Sequence, residues 1–265
     1  YATLVERARE HIYAGDVFEV CTTHRLEVPY PHAPWSLYAE LRRTNPAPFA
    51  SFLETPRAAV VSASPERFLR LGTDRVAESR PIKGTRPRGA DEAEDRALAE
   101  ALLTSAKDRA ENVMIVDLVR NDLGRVCALG SVHVPELMVL ESYRTVHQLV
   151  STVRGTLRAD RDAVDLIQAC FPGGSMTGAP KVEAMKLIDR LEPVTRGIYS
   201  GAIGYLDAAG TLDLNIVIRS AIVTGGRAYV GVGGAVVADS DPHAEYQETL
   251  DKARALLVAL AGVDG

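Results

Sequence analysis

Apolar and polar positions alternate along this chain with two different periods, one typical of helices and one typical of strands. Where apolar residues recur every three to four positions, the spacing predicts helices, at 4–13, 36–44, 91–103, 105–120, 162–170, 181–191 and 242–260. Where β-branched and apolar residues alternate or run together, the pattern predicts strands, at 17–26, 49–53, 58–62, 66–71, 75–78, 132–139, 143–157, 201–206, 211–223 and 227–237.

The order of these elements does not follow the regular strand–helix–strand alternation of a doubly wound parallel sheet. We therefore predict an α+β fold with largely antiparallel sheets. No linker-like stretch divides the chain, so we expect one domain over residues 1–265. The sequence begins without methionine and inside a helical pattern, which suggests the C-terminal part of a longer polypeptide.

The amino-acid composition excludes several classes of protein. Of 265 residues, 46% are hydrophobic and 25% are charged, which is typical of a globular protein. The net charge of −5 disfavours binding to nucleic acid or to an anionic membrane surface. No signal peptide and no apolar run of roughly 18 residues is present. Three cysteines without a CxxC pair predict neither a disulfide framework nor a zinc site, and we expect a cytoplasmic location.

Two pairs of acidic residues lie at helical spacing. Asp108 and Glu111 are three residues apart, and so are Glu245 and Glu248, with Lys252 one turn further along the same face. Carboxylates collected in one cleft need a hard cation to neutralise them, and Mg²⁺ prefers oxygen ligands. The alternative is that each pair lies on a solvated helix face.

Glycine-rich segments offer backbone amides to an anion. The segment 172–181 ends at a helix start, where free N–H groups favour a carboxylate or phosphate, although a tight turn before a helix explains it too. The segment 230–235 also presents backbone amides. Arg219 lies in the strand-like run 214–221, where a buried charge needs a carboxylate partner from a ligand or from a structural salt bridge.

Lys83 lies in a segment, 80–89, that the sequence predicts as a basic loop. Because Arg80, Arg86 and Arg88 surround it, we expect the pKa of its amine to be lowered, which would make it a usable nucleophile. A solvated basic loop is the alternative.

Two further residues are candidates for proton transfer or ligand contact. Glu66 ends a strand, and a carboxyl group buried there would suit a general acid. His147 precedes a strand-like run and is either a ligand contact or a hydrogen-bonded histidine of the sheet. The histidines form no HExxH pair, and no GxSxG motif is present, so zinc-hydrolase and serine-hydrolase chemistry have no support.

Several ordered motifs together resemble the chorismate-utilising enzymes over essentially the whole chain. They lie at 15–21, 64–68, 81–88, 106–112, 117–122, 172–181, 238–240 and 245–249. The resemblance is strongest to the synthase component of the branch that makes 4-amino-4-deoxychorismate. That distinction rests on Lys83, because the branch that makes anthranilate typically has alanine there.

The resemblance implies a reaction in which Lys83 attacks C2 of chorismate and expels the C4 hydroxyl, after which ammonia enters at C4. Glu66 would be the general acid, Glu111 and Glu248 would bind Mg²⁺, and Asp108 and Glu245 would hold its waters. The residues matching positions that contact substrate in relatives are Tyr199, Arg219, Lys252, His147, Ser175, Gly233 and Gly234.

The resemblance also implies a fold and partners. The family fold is a β-sandwich of two sheets flanked by helices, and a further N-terminal region normally adds strands to it. A glutamine amidotransferase, separate or fused, would supply ammonia, and the product would lead to p-aminobenzoate and folate. Two alternatives remain: anthranilate synthase component I, which aminates C2 and releases pyruvate, and a non-catalytic fragment that binds chorismate.

Overall fold

The structure is a computed structural model, which describes residues 1–144 and 146–263. Each predicted helix is present, and the bounds are α1 Ala2–Tyr13, α2 Pro34–Thr44, α3 Glu92–Thr104, α4 Ala106–Gly124, α5 Ala163–Cys170, α6 Lys181–Leu191 and α7 Pro242–Gly262. Side-chain caps account for several starts: Asp91, Ser105, Asp162 and Asp241 each accept hydrogen bonds from backbone N–H groups of the first turn.

The strands form two sheets. Their bounds are β1 Glu19–Pro29, β2 Phe49–Glu54, β3 Ala59–Ser64, β4 Arg67–Leu71, β5 Val76–Ser79, β6 Ile82–Pro87, β7 His133–Ser142, β8 Val146–Thr156, β9 Gly178–Ala179, β10 Ala202–Leu206, β11 Leu212–Ile216, β12 Ser220–Thr224 and β13 Arg227–Val236. A six-stranded sheet has the order β2-β3-β12-β13-β1-β9, and every neighbouring pair in it is antiparallel.

A seven-stranded sheet has the order β10-β11-β4-β5-β8-β6, with β7 paired to β8. Its β4–β5, β5–β8, β6–β8 and β7–β8 pairs are antiparallel. The predicted α+β class with largely antiparallel sheets is therefore confirmed.

The chain divides into two compact units, each discontinuous in sequence. The first unit comprises residues 1–66, 176–203 and the chain from 215 onward, and the second comprises 67–175 and 204–214. The expectation of one catalytic domain over residues 1–265 stays a prediction.

The first unit holds the six-stranded sheet and two apolar clusters. In one cluster, α2 and α7 pack on the sheet through residues that include Leu37, Val230 and Leu256. In the other, α1 and α6 pack near β1, with Val5 and Leu187 among the buried residues. Full burial of each such side chain contributes about 1.5–3 kcal/mol, so these contacts hold α7 and its acidic residues in place.

In the second unit, α3 and α4 pack on β6 and β8. Leu102, Ile115 and Leu149 are completely buried there. The residues of β8 from 147 to 153 are buried without interruption, which explains why that strand lacks the alternation of a half-exposed strand.

Two predictions of local structure are wrong. The run 211–223 is not one strand, because β11 belongs to the seven-stranded sheet and β12 to the six-stranded sheet. A tight turn separates them, in which the N–H of Ile218 donates to the carbonyl of Ile216 and Arg219 has φ +51°. An uninterrupted apolar run hides such a change of sheet, because both halves have the same composition.

The basic segment 80–89 was predicted as a loop, but most of it is the strand β6. Cross-strand pairing with β8 outweighs the low strand propensity of its glycine, proline and charged residues. No helix in the parts of the chain that the structure describes is long and apolar enough to cross a membrane.

Candidate active site

Lys83 lies on β6 with its side chain largely buried. Its Nζ is 3.9 Å from Oε2 of Glu111 on α4, and the two side chains are 11% and 12% exposed. Opposite charges attract more strongly where water is largely excluded than at an open surface. The alternative of a lysine in a solvated loop is therefore wrong.

The charges of the three neighbouring arginines are compensated. Each forms an ion pair with a carboxylate of the same unit: Arg80 with Glu141, Arg86 with Asp108 at 2.8 Å, and Arg88 with Asp95 at 2.6 Å. All three carboxylates lie outside the segment 80–89, so only the fold brings them near its arginines. The lowered pKa of Lys83 stays a prediction.

Asp108 and Glu111 lie on one face of α4, as predicted, and both are held by basic side chains. Nη2 of Arg86 donates to Oδ2 of Asp108, and Nζ of Lys107 is 3.9 Å from Oε1 of Glu111. The two oxygens of Glu111 thus face different lysines. This pair of acids does not lie on a freely solvated helix face.

His147 is buried, and both of its ring nitrogens have partners. Nε2 is 2.9 Å from Oδ1 of Asp95, and Nδ1 is 2.8 Å from Oγ of Ser142. Hydrogen bonds from Arg88 and from the N–H of Gly89 hold the pKa of Asp95 well below its usual range, so its carboxyl group is ionised. We infer that Nε2 carries the proton and that Nδ1 accepts from Ser142. For this ring to contact a substrate, the substrate would have to replace one of these two hydrogen bonds.

Ser175 lies in a short 3₁₀ turn, Gly174–Met176. A Cβ on Gly174 would lie 2.7 Å from Cδ2 of Leu118 on α4, so the absence of a side chain allows this loop to pack against the helix. The glycine-rich segment before α6 is therefore a packed turn at this point.

In the first unit, two cations meet where α7 packs on β13. Nη1 of Arg219 donates to the carbonyl of Lys252 at 2.7 Å. Nζ of Lys252 lies 2.6 Å from Oε1 of Glu248 and donates to the carbonyl of Gly233 at 2.9 Å. Burial lowers the pKa of the Arg219 guanidinium, although the charges of Tyr199 and Glu248 oppose that effect. Two clustered cations suit an anionic ligand.

The backbone at Gly233 and Gly234 is closely packed. A Cβ on Gly233 would lie 2.3 Å from the carbonyl oxygen of Thr22 on β1, and one on Gly234 would lie 3.0 Å from Oε2 of Glu245. The N–H of Gly234 donates to the hydroxyl of Tyr1 at 3.1 Å. The amide that was predicted to meet an anion is thus already hydrogen-bonded.

The acids of α7 have different surroundings although they share a helix face. Glu245 is 3% exposed and accepts a hydrogen bond of 2.7 Å from Oγ of Ser240. The Glu248 side chain is 48% exposed and pairs with Lys252. A single helix therefore supplies one buried and one half-exposed carboxylate.

Tyr199 and Glu66 are both buried. The absence of a side chain on Gly231 makes room for the Tyr199 ring, since a Cβ there would lie 2.3 Å from Cγ of Tyr199. Burial raises the pKa of Tyr199, which keeps its hydroxyl protonated. The backbone of Glu66 is fixed by hydrogen bonds to Ser64 Oγ and from the N–H of Ile216.

The carboxylates fit Mg²⁺ in their chemistry. Each of the two pairs offers only oxygen donors, which is the set that this ion prefers. One pair belongs to each unit, and across residues 1–144 and 146–263 no group of three or more histidine, cysteine or acidic side chains lies close enough together to hold a metal.

The family of chorismate binding enzymes matches residues 1–258. The chain belongs to this family. Among its relatives, an aminodeoxychorismate synthase of Streptomyces pristinaespiralis is 57% identical over 98% of this chain and 36% of its own length. Aminodeoxychorismate synthase component 1 of Escherichia coli K12 is 46% identical over 98% of this chain and 57% of its own length.

Among solved structures, anthranilate synthase component I from Streptococcus pneumoniae TIGR4 matches with a TM-score of 0.88 at 39% identity. That match covers 96% of this chain and 56% of the other. The chain therefore spans about a third to just over half of the length of these three relatives.

Some residues that shape the site were not predicted from the sequence. Asp95 was included only as part of an acidic helix, Tyr1 only as the start of the chain, and Arg86 only as a neighbouring charge.

Proposed function

We propose that this chain aminates chorismate at C4 with ammonia to give 4-amino-4-deoxychorismate and water. The observation that carries the proposal is Lys83, a buried amine placed beside the carboxylate of Glu111. The names of the Streptomyces and Escherichia coli relatives support the same reaction.

The reaction uses the lysine first as a nucleophile and then as a leaving group. The neutral amine of Lys83 forms a bond to C2, both ring double bonds shift, and the C4–O bond breaks. Glu66 protonates the departing hydroxyl, which leaves as water. Ammonia then forms a bond to C4, both double bonds shift back, and the C2–N bond breaks to release Lys83. The nitrogen now bound to C4 gives its extra proton to Glu66, which restores the acid. The burial of Glu66 supports its role, because a buried carboxyl group can deliver its proton away from bulk water.

The proposal assigns Mg²⁺ binding to Glu111 and Glu248, with Asp108 and Glu245 holding the waters of the ion. When bound, the ion would neutralise and hold the ring carboxylate of the substrate. The all-oxygen donor sets of α4 and α7 support this assignment.

Recognition of the substrate is assigned to a further set of residues. Chorismate carries two carboxylates, and the clustered cations Arg219 and Lys252 suit one of them. The remaining contacts are assigned to Tyr199, His147, Ser175, Gly233 and Gly234. For His147 and Gly234 this role requires the substrate to replace a hydrogen bond that each makes now.

Ammonia would come from a glutamine amidotransferase, either as a separate subunit or as a fused domain. The name component 1 given to the Escherichia coli relative supports a separate partner. The product would serve synthesis of p-aminobenzoate and folate in the cytoplasm.

A second candidate is the anthranilate-forming reaction, which the likeness to the Streptococcus pneumoniae enzyme favours. That reaction aminates C2 and releases pyruvate. A lysine amine poised to attack C2 would be superfluous there, so Lys83 supports the first candidate.

The test is to incubate the purified chain with chorismate, Mg²⁺ and ammonium, and to identify the product by liquid chromatography with mass detection. We expect 4-amino-4-deoxychorismate from the natural chain and none from Lys83→Ala. Anthranilate with an equal amount of pyruvate would establish the second candidate. Bound chorismate without turnover would indicate a chain that only binds it.

A further inference from the structure

A β-bulge on β6 determines which side chains face α4. Along the β6–β8 pair, Ile82 lies opposite Val150 and Thr85 lies opposite Gln148. Three steps on β6 therefore match two steps on β8, so β6 carries one extra residue between these positions. A bulge of this kind resets the alternation of side chains along a strand.

The bulge places Lys83 and Arg86 on the same side of β6. In a regular strand, residues three apart face opposite sides. Here Ile82 and Thr85 face the same side, because their partners on β8 are two residues apart. Lys83 and Arg86 follow them and both point to α4, where they meet Glu111 and Asp108.

The two ion pairs form a ladder between strand and helix. Asp108 and Glu111 are three residues apart on α4, and their partners Arg86 and Lys83 are three residues apart on β6. The Arg86 pair is the shorter at 2.8 Å, against 3.9 Å for the Lys83 pair. Nη1 of Arg86 also donates to the carbonyl of Thr85 at 2.9 Å, which ties the guanidinium to the end of the bulge.

Gly84 lets the strand come this close to the helix. Its φ of +88° suits glycine, and a Cβ there would lie 2.9 Å from Cδ1 of Leu102 and 3.0 Å from Cβ of Asp108. The helix thus packs directly against the bulge between Lys83 and Arg86.

We propose that Arg86 is a positioning residue for Lys83. By pairing with Asp108 and with the carbonyl of Thr85, it fixes the bulge against α4, and the fixed bulge sets the Lys83 amine beside Glu111. The inference rests on the proposed function for the role of Lys83 as nucleophile. The position of the Lys83 amine beside Glu111 is a property of the second unit and does not depend on that function.

The test compares Arg86→Gln, which removes the charge, with Arg86→Lys, which keeps it. Loss of orientation of a reacting group can slow a reaction by about a hundredfold. We expect kcat for C4 amination to fall at least about tenfold in Arg86→Gln with little change in the KM for chorismate, and to recover partly in Arg86→Lys. The exposure of Lys83 is measured without substrate, as the rate of its reductive methylation followed by peptide mass mapping. We expect this rate to be several-fold higher in Arg86→Gln than in the natural chain.

The control is Arg96→Gln on α3, which breaks an exposed ion pair with Glu92 and should leave both readouts unchanged. The inference is overturned if Arg86→Gln keeps the natural kcat and the natural rate of Lys83 methylation. If Arg86→Gln does not fold, the same two readouts on Arg86→Lys decide. If the natural chain forms no 4-amino-4-deoxychorismate, the proposed function fails, and the methylation rates still test the placement of Lys83.

Discussion

Replacement of Gly84 by alanine tests whether the packing of β6 on α3 and α4 is as close as the structure shows. Two costs add. A non-glycine residue in the left-handed region costs about 1–2 kcal/mol. The new Cβ would also lie 2.9 Å from Leu102 Cδ1 and 3.0 Å from Asp108 Cβ, and forcing an extra methyl group into a packed core costs about 1–3 kcal/mol. We expect Gly84→Ala to lower the free energy of unfolding by about 2–5 kcal/mol.

The matched control is Gly210→Ala, because Gly210 also has a positive φ, of +79°, but nothing lies within 4 Å of its Cβ position. The free energy of unfolding of Gly210→Ala should therefore fall only by the cost of the left-handed backbone, about 1–2 kcal/mol. Thermal unfolding followed by circular dichroism measures both, and Gly84→Ala should lower Tm by roughly 4–20 °C, at 2–4 °C per kcal/mol. Equal losses in the two variants would refute close packing at the bulge, as would an unchanged Tm for Gly84→Ala.

Two further predictions concern the first unit. Burial lowers the pKa of His24 from its ordinary value of 6.5, so the unfolded chain binds the extra proton as the pH falls. The Tm should therefore fall as the pH drops below about 6.5, and His24→Gln should lessen that fall. A Cβ on Gly231 would lie 2.3 Å from Tyr199 Cγ. Gly231→Ala should therefore lower the free energy of unfolding, measured with urea, by about 3 kcal/mol. An unchanged urea midpoint would contradict the observed packing of the Tyr199 ring.

Periodicity predicted the helices well, because nearly all of them pack on a sheet and four begin at a side-chain cap. It failed at β6 and at the turn between β11 and β12. In both places the outcome depends on a distant partner strand. The local composition does not reveal that β6 pairs with β8. Nor does it reveal that the chain changes sheet at Arg219.

The site was predictable in its parts but not in its contacts. Helical spacing correctly placed Asp108 with Glu111 on one face, because i and i+3 positions share a face whatever the tertiary structure. The partners of Arg86, Arg88 and His147 were not predictable, because each lies more than five residues away or on another element. For Lys83, the basic neighbours visible in the sequence proved to be paired with carboxylates that only the fold brings near.

The covalent role of Lys83 is tested most directly by mixing the chain with chorismate and Mg²⁺ without ammonium, quenching rapidly in acid and mapping the peptides by mass. We predict that the peptide containing Lys83 gains the mass of chorismate less one water, and that Arg86→Gln forms this adduct more slowly. An unmodified Lys83 in a preparation that makes 4-amino-4-deoxychorismate once ammonium is added would contradict the proposed reaction.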